Sequence, residues 1–240
     1  ALVMVGVNER GEKHFLAIED GVRESTQSWR EVLLDLKSRG LHAPEVAVGD
    51  GALSFWAALE EVFSASRQQR CWMHKTMNVL NCLPKTAHAN ANQALHAIWQ
   101  AETKENAEKA FDLFIETYDP KYPKATLCIL KDRDELMAFF DFPAQHWQSI
   151  RTSNPIESTF GTIRHRTKRS KGCLTRNGML HMMFKLGLCA EKNWRRLRGF
   201  NYLAKVITGI KFKDGIEVTE VDTTGRFFSS SGMACCSVTR

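Results

Sequence analysis

The chain has 240 residues, 43% hydrophobic and 25% charged, with a net charge of +6 at neutral pH. That is ordinary globular composition at a length able to bury its own core, which excludes a collagen, a coiled-coil rod and a wholly disordered tail. No apolar run is long enough to cross a membrane. Ala1 to Val7 lacks the basic flank of a signal peptide, and the absence of an initiator Met leads us to expect a portion of a longer protein. Seven cysteines without framework spacing are expected to be reduced thiols of an intracellular protein.

Leu2 to Val7, small and branched, predicts a strand. Asn8 to Lys13 reads as a turn and His14 to Ile18 as a second strand, so the pair predicts a hairpin. Ser25 or Thr26 caps a helix running to about Arg39, with Trp29, Val32, Leu33, Leu36 and Leu41 in a helical stripe and Gly40 as its stop. Behind Pro44, Glu45 to Gly49 predicts a short strand with Asp50-Gly51 at its carboxyl end. Leu53 to Val62 reads as a helix and Gln69 to Trp72 as a fourth strand. This is an α/β core, and sheets of that kind place their chemistry at strand carboxyl ends.

The next stretch turns helical, with Ala, Leu and Phe at three-to-four spacing over Gln93 to Gln100, Lys104 to Tyr118 and Tyr122 to Phe140. Pro84, Pro120, Pro123 and Pro143 punctuate it. We read an α/β core over 1–74, a helical insertion over 75–145, a further helix and basic helical part over 146–222, and a tail over 223–240. After Asn154-Pro155 a helix is expected to start at or just after Ile156, and Asn177 to about Ile210 again reads as helical. The tail is rich in Ser, Gly and Cys without periodicity, and is expected to be disordered.

The charge is uneven. From Ser158 to Arg198 there are eleven Lys or Arg and one acid, Glu191. The densest part is Arg164-His165-Arg166-Thr167-Lys168-Arg169-Ser170-Lys171. Lys192, Arg195, Arg196 and Arg198 follow. A solvated helix face would interleave acids as i,i+4 partners. This run has none, which favours phosphate backbones as its partner.

Two carboxylates stand out by placement. Asp50 sits at a strand end before a glycine, and Glu157 in the first turn of a helix beside the basic run. Taken alone, Asp-Gly reads as a turn, and a Glu at a helix start as a complement to the helix dipole. Cys71 and His74 form a Cys-x-x-His pair, half of a zinc site, but no second half has suitable spacing. A buried Cys with a hydrogen-bonding His, or a role in positioning DNA or acids, are the other readings.

These residues fall within stretches that resemble the mutator-type transposases of bacterial insertion sequences. The stretches are Glu24-Ser25 with Trp29, Asp35-Leu36-Lys37-Ser38-Arg39-Gly40-Leu41 and Val48-Gly49-Asp50-Gly51-Ala52. Gln69-Arg70-Cys71-Trp72-Met73-His74-Lys75 with Asn78-Val79-Leu80, and Asn154-Pro155-Ile156-Glu157-Ser158, complete the set. The resemblance runs from about Ala1 to Val218. It implies a DDE enzyme with an RNase H-like mixed sheet flanked by helices and a helical insertion before the catalytic Glu.

The resemblance also assigns roles. Asp50 matches the second catalytic Asp and Glu157 the catalytic Glu, both as metal ligands. Cys71 and His74 match the family's C-x-x-H signature as site-supporting residues. Arg164 and Arg166, with Lys168, Arg169 and Lys171, would meet DNA phosphates. Trp147 reads first as packing and second as a base-stacking residue near the cleavage site. The first catalytic Asp is expected upstream of Ala1, with the strand that carries it. The implied cofactor is Mg²⁺, two ions in the complete enzyme, with Mn²⁺ as the alternative. The implied partners are DNA, as transposon ends and target, and further copies of the chain, with no membrane. The implied location is the bacterial cytoplasm at the nucleoid. A catalytically inactive DNA-binding remnant of such a transposase is the alternative function.

Overall fold

The computed structural model describes residues 2–19, 25–153, 160–161, 163–167 and 175–218, and the backbone of 236–239. Two strands, Leu2–Val7 (β1) and Lys13–Glu19 (β2), pair antiparallel. The turn between them is held by Asn8, whose side-chain oxygen accepts from the N–H groups of Arg10 and Glu12 at 3.0 and 2.9 Å. Thr26–Ser38 (α1) follows, with Ser25 accepting from the Ser28 N–H as its N-cap. Val46–Gly49 (β3) and Arg67–Arg70 (β4) then pair in parallel, joined by Leu53–Val62 (α2).

The β1–β2 sheet and the neighbouring β3–β4 pair act as a partition. All six residues of β1 are buried, as a strand covered on both faces requires. Leu2 and Met4 pack with Trp29 and Leu33 of α1 and Phe55 and Leu59 of α2. Val3 and Val5 point the other way, to Phe15, Phe160 and Ile163. The same two-residue period runs through β3: Ala47 joins the α1–α2 side, while Val46 and Val48 join a larger helical core.

That larger core belongs to the insertion. Its helices are Trp72–Leu80 (α3), His88–Trp99 (α4), Lys104–Tyr118 (α5), Pro123–Leu130 (α6), Arg133–Met137 (α7) and Ala144–Ile150 (α8), with a 3₁₀ turn over Ala138–Asp141. Leu95, Ile98, Phe111, Phe114, Ile129, Phe139 and Phe140 are fully buried and share one cluster with Val46, Val48 and Trp72. The insertion therefore packs on the sheet.

Several local expectations change. The fourth strand runs over Arg67–Arg70, earlier than the sequence suggests, and Trp72 starts a helix. A strand of Arg, Gln, Gln and Arg carries no apolar pattern. Trp72 looked like strand because it is aromatic, yet its indole N–H anchors to the Leu136 carbonyl at 2.8 Å. The helix expected over Tyr122 to Phe140 is broken at Lys131–Asp132, where Asp132 is drawn to Arg70 and Lys75.

Residues 163–167 are helical (α9), followed by Arg176–Glu191 (α10), a 3₁₀ turn over Phe200–Tyr202 and Leu203–Ile207 (α11). A small hairpin of Phe212–Lys213 (β5) and Ile216–Glu217 (β6) comes next. The expectation of disorder over 223–240 fails for Cys236–Thr239 (β7), which pairs antiparallel with β1 and flanks β3. The physical reason is an open ladder. β1 has N–H and C=O groups on the side away from β2, and a four-residue segment ending in the β-branched Val238 and Thr239 pairs with them.

Two outcomes are expected. Phe111→Ala, which empties a fully buried site, costs about 3–5 kcal/mol in chemical unfolding; a loss below 1 kcal/mol would mean the insertion's core is not closed around it. Ending the chain at Val218 bares the β1 ladder and lowers the melting temperature with gain of self-association. An unchanged melt and elution volume would show that β7 contributes nothing to the sheet.

Candidate active site and nucleic-acid interface

Asp50 follows the last residue of β3 and is half-buried. Its carboxylate Oδ1 accepts from the Ala52 N–H at 3.2 Å, closing a small turn in which Gly51 takes φ +105°. Only glycine adopts that backbone without strain. The chain thus leaves β3 sharply and lifts the carboxylate onto the strand end.

Cys71 is the corner of the site. Its N–H donates to the Gly49 carbonyl at 2.8 Å, which extends the β3–β4 ladder to the residue before Asp50. Its buried Sγ accepts from the Ser153 N–H at 3.3 Å and from the Ser153 hydroxyl at 3.2 Å. His74 Nδ1 lies 3.4 Å from that hydroxyl, and the Trp72 N–H donates to the Arg151 carbonyl at 2.9 Å. Arg151 and Ser153 are thereby fastened to the amino end of α3. Burial raises the Cys71 thiol, but hydrogen bonds from His74 and Ser153 outweigh it and hold the thiol below its ordinary range. Sequence reasoning flagged Cys71 and His74 but missed Ser153, which has no signal of its own. It also missed Arg70, whose guanidinium lies against Gly51.

The basic face is built on α9. Phe160, Ile163 and Thr167 are buried, at the three- and four-residue spacing of one helix side, while Arg164, His165 and Arg166 are exposed. Lys192, Arg195, Arg196 and Arg198 are exposed as well. Of these, Arg196 pairs with Glu12 at 3.3 Å and Arg198 reaches the Gln148 side chain at 3.3 Å. α10 holds this region to the sheet. Glu191 accepts from His14 Nδ1 and the Phe15 N–H, each at 3.0 Å, and Gly187 lets the Phe15 ring approach closely.

Glu157, Lys168, Arg169 and Lys171 lie outside the described residues. Trp147 packs edge-on against Phe139 and Phe140 at 5.3 and 5.0 Å, and its indole N–H donates to the Phe142 carbonyl at 2.8 Å. Among the described residues no three of His, Cys, Asp and Glu converge as a metal cage, and no helix there is long and apolar enough to cross a membrane. Asp50 supplies a hard oxygen ligand of the kind Mg²⁺ prefers.

The arrangement is that of an α/β protein with an acid at a strand carboxyl end and a cationic helix face on the same chain. Comparison with known proteins gives the family. The family described as "Transposase, Mutator family" matches residues 1–196. The chain is 50% identical over 216 residues to the transposase for insertion sequence element IST2 of Acidithiobacillus ferrooxidans, an alignment covering 90% of this chain and 73% of that protein. It is 47% identical over 214 residues to the transposase for insertion sequence element IS6120 of Mycolicibacterium smegmatis, covering 89% and 66%. A more distant relative is the transposase for IS905 of Lactococcus lactis, 30% identical over 167 residues, covering 70% and 42%. The chain belongs to the Mutator family of transposases.

Ser153→Ala removes two things Sγ leans on, the hydroxyl donor and the bridge to His74. The thiol should then titrate higher, read as thiolate absorbance against a Cys71→Ala reference. An unmoved titration would mean that Ser153 does not set the thiol. Because the folded thiol ionises below its unfolded value, its ionisation adds stability above the unfolded pKa, and the gain is lost as pH falls through the folded one. The stability gap between wild type and Cys71→Ala should therefore narrow on acidification through the folded thiol's range.

Proposed function

We propose that this chain carries the catalytic part of an insertion-sequence transposase that cleaves DNA ends and transfers their 3′-hydroxyls to a target. The observation that carries this reading is the family match taken with Asp50 at the carboxyl end of β3. The three-stranded β2–β1–β7 sheet, with β3 of the separate β3–β4 pair lying beside β7, supports an RNase H-like reading.

In this reading Asp50 and Glu157 would hold Mg²⁺, which when bound would supply charge neutralisation for phosphoryl transfer. The chain's own residues do the positioning. The Gly51 turn fixes the Asp50 carboxylate, and the Cys71–Ser153 contacts hold Ser153, four residues before Glu157 in the sequence. Arg164 and Arg166, with Lys168, Arg169 and Lys171, hold the backbone of the DNA end. Such contacts position the duplex and do not read its sequence. Two DNA ends in one reaction call for more than one copy of the chain, working at the bacterial nucleoid.

The deciding assay is Mg²⁺-dependent transfer of a 3′-hydroxyl oligonucleotide by this chain, run beside the same chain extended upstream. Asp50→Ala and Glu157→Ala should each abolish transfer and leave binding to DNA intact. Activity surviving in either variant would take that residue out of the metal site. Replacing Arg164 and Arg166 together by Ala should lower the salt slope of DNA binding by about one per lost phosphate contact. An unchanged slope would place this face away from DNA.

A further inference from the structure

Arg70, Lys75 and Asp132 form a buried ionic cluster beside the Asp50–Gly51 turn. Arg70 Nη2 lies 2.9 Å from Asp132 Oδ2, and Lys75 Nζ contacts the same oxygen. Lys75 also donates to the Cys128 carbonyl at 3.0 Å. The side chains of Arg70, Lys75 and Asp132 are 7%, 2% and 14% exposed. With the adjacent Asp50 counted, two carboxylates answer two cations, and the group is neutral as it stands. The pairing within it is uneven. Asp132 takes both cations, while Asp50 is turned to the Ala52 N–H and forms no ion pair among the described residues.

Arg70 nevertheless stands next to Asp50. A Cβ added to Gly51 would lie 2.1 Å from both terminal nitrogens of the guanidinium. Consecutive Cα atoms are about 3.8 Å apart, which puts the Asp50 carboxylate within a side-chain rotation of those nitrogens. Arg70 Nε is buried with no hydrogen-bond partner, so the guanidinium is only partly satisfied where it sits. A buried cation that loses its anion is strongly destabilised, and it turns to the nearest other carboxylate. What keeps Arg70 off Asp50 is Asp132, at the break between α6 and α7, which Lys75 fixes in turn.

We propose that Asp132 is a positioning residue for Asp50: it holds the Arg70 guanidinium to itself and so leaves the candidate acid free for a divalent cation. This role rests on the reading of Asp50 as a metal-holding carboxylate, and it gives the helical insertion, which supplies Asp132, a task at the strand end. An Arg70–Asp50 pair would occupy the oxygens and cancel the charge that a hard cation needs. Lys75 anchors Asp132 so that this carboxylate does not follow the guanidinium. Whether Asp50 is free or paired is thus set by a residue on the far side of the β3–β4 pair's polar edge.

The first measurement is chemical unfolding of the whole chain without divalent ions, as a mutant cycle over Asp50, Arg70 and Asp132. Asp50→Asn should leave the midpoint unmoved in the unaltered chain and lower it in Asp132→Asn, where Arg70 has turned to Asp50. Adding Arg70→Gln should abolish that difference. The second measurement is Mn²⁺ binding by the whole chain, followed by electron paramagnetic resonance of the free ion. Asp132→Asn should weaken it about three- to tenfold, and Arg70→Gln placed on top should restore it to within about twofold. Restoration by the loss of a second ionic group is something a merely structural role for Asp132 does not produce. Asp132→Glu, which keeps the ion pair, should bind Mn²⁺ as the unaltered chain does. Arg70→Gln alone should bind at least as tightly as the unaltered chain, and a loss there overturns the role even if Asp132→Asn does not fold. An equal effect of Asp50→Asn in both backgrounds overturns it and leaves the metal reading standing, as does weakened Mn²⁺ binding that Arg70→Gln fails to restore. Mn²⁺ binding that Asp50→Asn does not weaken removes the metal reading of Asp50, and the role with it.

Discussion

Parallel pairing of β3 with β4 is the constraint on which the rest of the site depends. Each strand is four residues long, and parallel neighbours end at the same edge of a sheet. That edge receives Asp50 from one strand and Cys71 from the other, tied by the bond from the Cys71 N–H to the Gly49 carbonyl. A parallel pair cannot be closed by a tight turn, so the crossover helix α2 is obligatory. Its Phe55 and Leu59 then cover one face of the sheet together with α1.

The insertion completes what the pair begins. β4 is a polar edge strand, and such an edge is a liability unless it is covered. The described residues cover it with ionic and hydrogen-bonding links: Arg67 to Asp141, Gln69 to the Leu136 carbonyl, and Arg70 to Asp132. Each partner comes from the α7 region, so the helices that bury Phe139 and Phe140 also hold the strand end beneath the candidate acid. The far side of the molecule uses another device. There α10 holds the basic part of the chain through Glu191, which meets both His14 and the backbone of Phe15 on β2.

Much of this was legible in the residues. The hairpin, α1 with its cap, β3 ending at Asp50, and the exposure of Arg164 and Arg166 all follow from short-range patterns: two-residue alternation, helical stripes and turn chemistry. Trp147 also sits as its spacing suggested, packed against two phenylalanines. The parts that were not legible lack a local signature. β4 reads Arg-Gln-Gln-Arg, and its identity as a strand comes from β3 beside it. β7 forms because β1 leaves a ladder open on one side.

The sequence by itself determined the family, the types of the long elements, the placement of Asp50 and the uneven distribution of charge, because each is written in contiguous residues. Only the tertiary structure decided which distant residues share a site. Ser153 meets Cys71, and Asp132 meets Arg70 and Lys75, across stretches of chain that no periodicity spans. The balance of charge in a buried cluster is a property of what surrounds it, and composition counts charges without saying which of them lose their water together.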